Sequence, residues 1–334
     1  MFTYKTFTEV TDNGPYITKL ILNAPEIVRA ECVDKDTFSV YAERVDPKTD
    51  KVFLENHTWP GPKIFPSQGY RPVSAAYPCD ENGGKLYQSR HIALEMPYQM
   101  GNPIGYTMAA SLREGGYNAL VECRYRVTQI KDISGEVPMN GWVFDKSVGD
   151  ICPQLKGWKN GRSHYAPLPL NYGYFTPDLD HANQNYTALD SNYGDEWEHK
   201  FPEKLPLVIW LHGHGEGGED PALAYTGNKV VAISSDEIQR KLGGAAYVLA
   251  PQCPTFWMNS GAVNHQDPKE LTSSKSMYTE AVKAVIDEFI EQHPDIDRNR
   301  AYIGGCSNGG FMTMRMLLSY PDFFAAAYPV CEAL

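Results

Sequence analysis

No run of about 18 or more apolar residues occurs in the 334-residue sequence, so no membrane-spanning helix is expected. The amino terminus, Met1-Phe2-Thr3-Tyr4-Lys5, has no apolar core segment of the kind a signal peptide needs. That sets cytoplasmic residence as the expectation, with secretion left to a chain carrying a longer amino terminus. Positive charge is short: 30 Lys and Arg stand against 41 Asp and Glu, a net charge of −11. A nucleic-acid partner is not expected, because phosphate binding needs a basic face. The seven cysteines are odd in number and form no C-x-x-C pair. That pattern fits buried reduced thiols rather than a disulfide framework or a structural zinc site. No metal and no cofactor are expected. Histidine is missing from the carboxyl-terminal stretch; the nine (57, 91, 164, 181, 199, 212, 214, 265 and 293) end at His293.

What is present points to two folded parts. A hydrophobic fraction of 42% is that of a globular protein, and the length suffices for two cores. Residues 1–130 read as β-rich. The β-branched run 16–22 and the period-two runs 37–42 and 119–127 are separated by turn signals such as Asn82-Gly83-Gly84. With no long amphipathic helix among them, they predict an all-β sandwich. Residues 131–167 show little periodicity and are expected to be a linker or irregular. From 168 to 334 the pattern becomes α/β: a candidate first strand at 168–175 and continuous apolar runs at 205–211 and 245–250. Ala281, Val282, Val285, Ile286, Phe289 and Ile290 then form one helical stripe, followed by a strand at 301–304, a helix at 311–318 and a last strand at 324–330. Such alternation predicts a mostly parallel sheet with helices on both faces. Asn185-Tyr186-Thr187 matches a glycosylation sequon, which matters only in a secreted eukaryotic protein.

Chemistry concentrates in Gly305-Cys306-Ser307-Asn308-Gly309. A G-x-S-x-G between a strand and a helix is the turn that exposes a nucleophilic serine, and its glycines let strand and helix approach closely. Ser307 is the expected nucleophile. A serine hydroxyl also needs a base and donors for the oxyanion. Donors are expected from the loop His212-Gly213-His214-Gly215-Glu216-Gly217-Gly218 that follows the 205–211 strand. They are the backbone N–H of His214, with Gly215 as the alternative, and that of Asn308. The loop lacks the Lys-Ser/Thr ending of a phosphate-binding loop. Phe256 and Trp257 follow the carboxyl end of a strand, where α/β sheets place ligands, and either wall an acyl or aromatic group or simply pack. Glu216 either orients a substrate or stays solvated. Cys306 is expected to be structural, and His212 and His214 to shape the loop, with a Ser307–His214 pair as the minor alternative.

With Leu211-His212-Gly213-His214-Gly215, Ala250-Pro251-Gln252-Cys253-Pro254 and Gly305-Cys306-Ser307-Asn308-Gly309-Gly310 in place, residues from about 168 onward resemble the α/β-hydrolase family. The similarity lies in the branch of prolyl-oligopeptidase-like esterases, feruloyl esterases and polyhydroxybutyrate-depolymerase-like enzymes. Gly14-Pro15-Tyr16-Ile17-Thr18-Lys19-Leu20-Ile21-Leu22 and Asp36-Thr37-Phe38-Ser39-Val40 are similar to the immunoglobulin-like domain that precedes the hydrolase in bacterial two-domain carboxylesterases. The resemblance implies a serine hydrolase acting on small-molecule or polymer-linked carboxylic esters.

In that fold the triad runs Ser, then Asp or Glu, then His. After Ser307 the only acids are Asp322 and Glu332, and no histidine follows. The expectation is therefore an incomplete hydrolase domain, lacking on the order of 80–120 residues that carry the triad acid and histidine, and inactive by itself. Two alternatives stand beside it: a prolyl-oligopeptidase-type peptidase, whose repeated blades are not visible in the first 150 positions, and a binding protein with an inert hydrolase remnant.

Overall fold

The computed structural model describes residues 2–57, 63–110, 112–134, 139–180, 182, 203–261 and 275–332; the sequon at Asn185 lies outside them. The chain divides into two compact units, Met1–Pro153 and Gln154–Leu334.

In the first unit, Phe2–Thr11 pairs antiparallel with Gly14–Arg29, which pairs with Gln88–Glu95 and through it with Ala75–Cys79. On its other edge Phe2–Thr11 pairs parallel with Val143–Ile151, then come Glu122–Gln129 and Phe38–Asp46. Period-two patterning decides which side chains turn inward: Phe38, Val40 and Ala42 are buried while Ser39, Tyr41 and Glu43 are partly exposed. Leu20, Leu22 and Leu94 from one end of this pairing order share a core with Val40, Ala42, Tyr125 and Val127 from the other. The sheet therefore folds over itself into two layers, the sandwich the turn-punctuated strands predict. Each fully buried Leu or Val in that core contributes about 1.5–3 kcal/mol of transfer free energy.

Two buried arginines tie this unit's loops to its strands. Arg44, fully buried, donates to the Tyr106 carbonyl (2.8 Å), to the Met108 carbonyl (2.6 Å) and to the Glu55 carboxylate. Arg71 donates to the Ile17 carbonyl (2.7 Å) and the Tyr125 hydroxyl (3.0 Å) and lies 4.9 Å over the Tyr16 ring.

In the second unit the six-stranded sheet runs Trp158–Arg162, Asn171–Phe175, Tyr247–Gln252, Leu205–Leu211, Ile296–Cys306, Ala326–Val330. The two pairings at the first edge are antiparallel and the three that follow are parallel, so the sheet is mixed. Leu205, Leu207, Ile209 and Leu211 face a core built with the helix Thr279–Gln292, whose six striped residues are all buried. Met312 and Met316 of the helix Asn308–Ser319 complete that layer. On the other face Tyr225, from the short helix Ala222–Thr226, packs on Gly173, where any Cβ would collide with its ring.

Residues 131–167, expected as linker, instead hold two strands, one in each unit. Val143–Ile151 is mostly exposed apart from Phe144, and Trp158–Arg162 is an edge strand with no buried residue. Strands that bury no continuous face carry no period-two hydrophobic signal, so they read as irregular.

The Arg44 pair gives a measurable expectation. Glu55→Ala leaves a guanidinium buried without its carboxylate, and urea unfolding should show the first unit destabilised by about 3–5 kcal/mol.

Candidate active site

Register builds the site. Leu211 lies opposite Gly305 across the parallel pair, so the loop leaving one strand and the turn leaving the other emerge side by side at the carboxyl edge of the sheet. On the far side of Leu205–Leu211, Ile209 is level with Leu249, which brings the segment after Gln252 to the same edge.

At the turn, Ser307 adopts φ 51°, ψ −116°, a left-handed conformation that costs a non-glycine residue of order 1–3 kcal/mol. Its N–H donates to the Val330 carbonyl (2.9 Å) and its carbonyl accepts from Phe311 (3.1 Å), which holds the serine at the head of the Asn308–Ser319 helix with its side chain exposed. Close approach dictates the flanking glycines: a Cβ on Gly305 would lie 2.5 Å from the Leu211 carbonyl oxygen, and one on Gly309 would overlap the same atom. Both spacer roles expected of these glycines are met by one carbonyl.

His212 is buried, and its hydrogen bonds define its tautomer. The Cys253 N–H donates to Nε2 (2.9 Å), so the ring proton sits on Nδ1 and is donated to the Gly213 carbonyl (2.6 Å). Burial pushes its pKa down to about 4, with the neighbouring His214 adding to the effect and the Gly213 carbonyl opposing it. With both nitrogens committed to backbone, His212 shapes the loop and accepts no proton from Ser307. His214 is exposed, with its ring 5.8 Å from that of half-buried Phe256. Among the described residues no imidazole is hydrogen-bonded to Ser307.

Trp257 does not wall a substrate. It is fully buried: its backbone N–H donates to Asn308 Oδ1 (2.5 Å) and its indole N–H to the His212 carbonyl (3.0 Å). It therefore pins the elbow, the glycine-rich loop and the segment after Gln252 to one another. That side-chain contact also sets Asn308, whose own N–H belongs to the first turn of its helix and lacks an intrahelical acceptor. Glu216, expected at a solvated or substrate-facing position, is buried beneath the loop, its backbone carbonyl accepting from Gln252 Nε2 (2.9 Å). Cys306 is held as a thiol, pushed up to about 11 by burial and then by the charge of Glu216. It accepts from Asn228 Nδ2 (3.4 Å).

Asn228 escaped the sequence reading, and Gln252 entered it only as part of a motif, without a role. Gly227-Asn228 is a turn dipeptide, which signals a bend but not its target, and Gln252 follows the apolar run 245–250 without a visible partner. Among the described residues no three His, Cys, Asp or Glu side chains cluster so as to hold a metal ion. None of the described helices is long and apolar enough to cross a membrane.

Two consequences are measurable. Because the folded pKa of His212 lies below its unfolded value, the unfolded chain binds more protons between pH 6.5 and 4. Stability is then complete above pH 6.5 and falls by about 3 kcal/mol as the pH drops to 4. Urea unfolding across that range should show the slope in the wild type and its loss in His212→Asn. For the elbow, Gly309→Ala forces strand and helix apart and should lower the stability of the second unit by about 3 kcal/mol, the upper part of the overpacking range.

Comparison with known proteins agrees with this architecture. The family model for the Esterase Ig-like N-terminal domain matches residues 3–137, and that for the Prolyl oligopeptidase family matches residues 274–332. The chain is 30% identical over 129 residues to Poly(3-hydroxyalkanoate) depolymerase C of Paucimonas lemoignei, covering 39% of this chain and 28% of that protein. It is 27% identical over 133 residues to the Putative esterase NocK of Nocardia uniformis subsp. tsuyamanensis, covering 40% of this chain and 34% of that one. It thus spans about a third of the length of the curated relatives it matches. A crystal structure of a thermostable esterase superposes with a TM-score of 0.71 at 19% identity, covering 99% of this chain and 77% of that one. The chain therefore joins a domain that matches the immunoglobulin-like model to a domain of α/β-hydrolase fold.

Proposed function

We propose that the protein is a serine hydrolase of carboxylic esters, with Ser307 as the nucleophile. The observation that carries this reading is the left-handed Ser307, exposed at the strand-to-helix turn and set by register beside a glycine-rich loop. Ser307 Oγ attacks the ester carbonyl, the alcohol leaves, and water releases the acid from the acyl-serine. The backbone N–H groups of His214 and Asn308 hold the oxyanion, where one such donor is worth about 10²–10³ in rate. The hydroxyl proton passes to an imidazole and from it to the departing alkoxide; His212, with both nitrogens bonded to backbone, is not that imidazole. We assign Phe256, half-buried against the His214 ring, to the wall that receives the acyl group. The similarity to a depolymerase and to an esterase supports an ester substrate, either small or polymer-linked.

Hydrolysis of p-nitrophenyl acetate by the purified protein tests this, with Ser307→Ala and His214→Ala alongside. Ester cleavage should depend on Ser307; a rate that survives Ser307→Ala sinks the reading. His214→Ala keeps its backbone donor and should stay within about threefold of the wild type. A loss as deep as that of Ser307→Ala would instead make the His214 imidazole the base. The match of residues 274–332 to the Prolyl oligopeptidase family supports a second reading, a peptidase on the same elbow. Release of the dye from a proline-linked chromogenic peptide in place of the ester would favour it.

A further inference from the structure

Resting on the serine-hydrolase reading, we propose that Glu216 is a positioning residue whose buried carboxylate, packed against Gly213 and Gly227, fixes the oxyanion loop beside Ser307. The residue closes the short turn His214–Glu216, yet its side chain runs inward beneath the loop instead of into water. Two glycines from separate segments make the room. A Cβ on Gly227 would lie 2.6 Å from Glu216 Cγ, and one on Gly213 would lie 3.2 Å from Oε2 and 3.4 Å from Cys306 Sγ. The side chain thus touches the loop that supplies the His214 N–H, and Gly213 has Glu216 Oε2 and the thiol of the residue before Ser307 as neighbours.

The backbone of the same loop is fastened on the opposite side. The Glu216 carbonyl accepts from Gln252 Nε2, and the Gly218 N–H donates to the Cys253 carbonyl (2.8 Å). Hydrogen bonds to the loop's main chain secure it to one neighbouring strand, and the Glu216 side chain packs it against the segment at Gly227. Next to Gly227, Asn228 and Lys229 stand consecutively in the left-handed region at φ 50° and 53°. For residues other than glycine this costs about 1–2 kcal/mol each and persists only where the surroundings over-determine it. What the bend gains is the Asn228 amide on Cys306 Sγ, so two chain segments converge on that thiol. A rigid loop matters because oxyanion donors act only if they already point at the developing charge.

Glu216→Gln keeps the volume and removes the charge; Glu216→Ala removes both. On p-nitrophenyl acetate, kcat should fall at least about tenfold in the alanine variant and less in the glutamine variant, with KM within about twofold, the signature of a contact felt only in the transition state. A second readout does not depend on catalysis: iodoacetamide labelling of Cys306 at pH 9, followed by peptide mass spectrometry. In Glu216→Ala it should quicken at least about fivefold as the thiol loses the neighbouring carboxyl group, while fully buried Cys253 stays unlabelled as the control for an intact fold. Unchanged Cys306 labelling overturns the proposal whether or not the ester is cleaved, and so does an unchanged kcat in a wild type that cleaves it. A wild type that leaves the ester intact, with Cys306 labelling raised in the variant, counts against ester cleavage by these residues unaided and leaves Glu216 as the residue that fastens the loop.

Discussion

One backbone carbonyl sets the dimensions of this site. The oxygen of Leu211 sits against Gly305 on the neighbouring strand and against Gly309 on the helix that strand becomes, so closely that neither position tolerates a methyl group. The chain can therefore reverse from strand to helix within one residue, and the residue at the reversal is driven into the left-handed region. The same carbonyl ends the strand from which the glycine-rich loop departs. The Ser307 turn and the glycine-rich loop share a reference point made of main chain.

Around that point the buried rings and amides are tied to main chain. His212, Trp257 and Asn308 bind backbone groups of one another's segments, and none reaches solvent. Buried groups of this kind are costly when unpaired and specific when paired, so the network selects one arrangement of three loops over others of similar compactness. The one carboxyl group admitted among them is that of Glu216, and it lies on the side of the loop away from water. The outer rim is of another kind: His214 and Phe256 are the accessible rings.

How much of this was legible in the sequence follows from how local each cause is. Leu205–Leu211 could be read because a strand buried on both faces is apolar at nearly every position. The elbow could be read because its glycines and serine adjoin. Trp257 could not, since a tryptophan after a strand looks the same whether its face meets a ligand or a neighbouring loop. Glu216 was misleading for a related reason: an acid in a glycine-rich loop suggests water, and the space that buries it is opened in part by Gly227, eleven positions further on. The strands within 131–167 were invisible because neither buries a face, and what fixes them is pairing with strands remote in sequence or at a sheet edge.

The parallel pairing of Phe2–Thr11 with Val143–Ile151 has a kinetic meaning. Phe2 faces Phe144, and the hydroxyls of Thr6 and Thr8 bond the Asp150 carboxylate, contacts that close a loop of more than 140 residues. The strand that begins the chain cannot finish its ladder until the last strand of its unit has been made. On a ribosome adding about 5–20 residues per second, that edge stays open for many seconds of synthesis. Contacts so distant in sequence also slow folding once the chain is free, since closure entropy must be met before they form. The amino-terminal unit is thus built to fold late and as a whole.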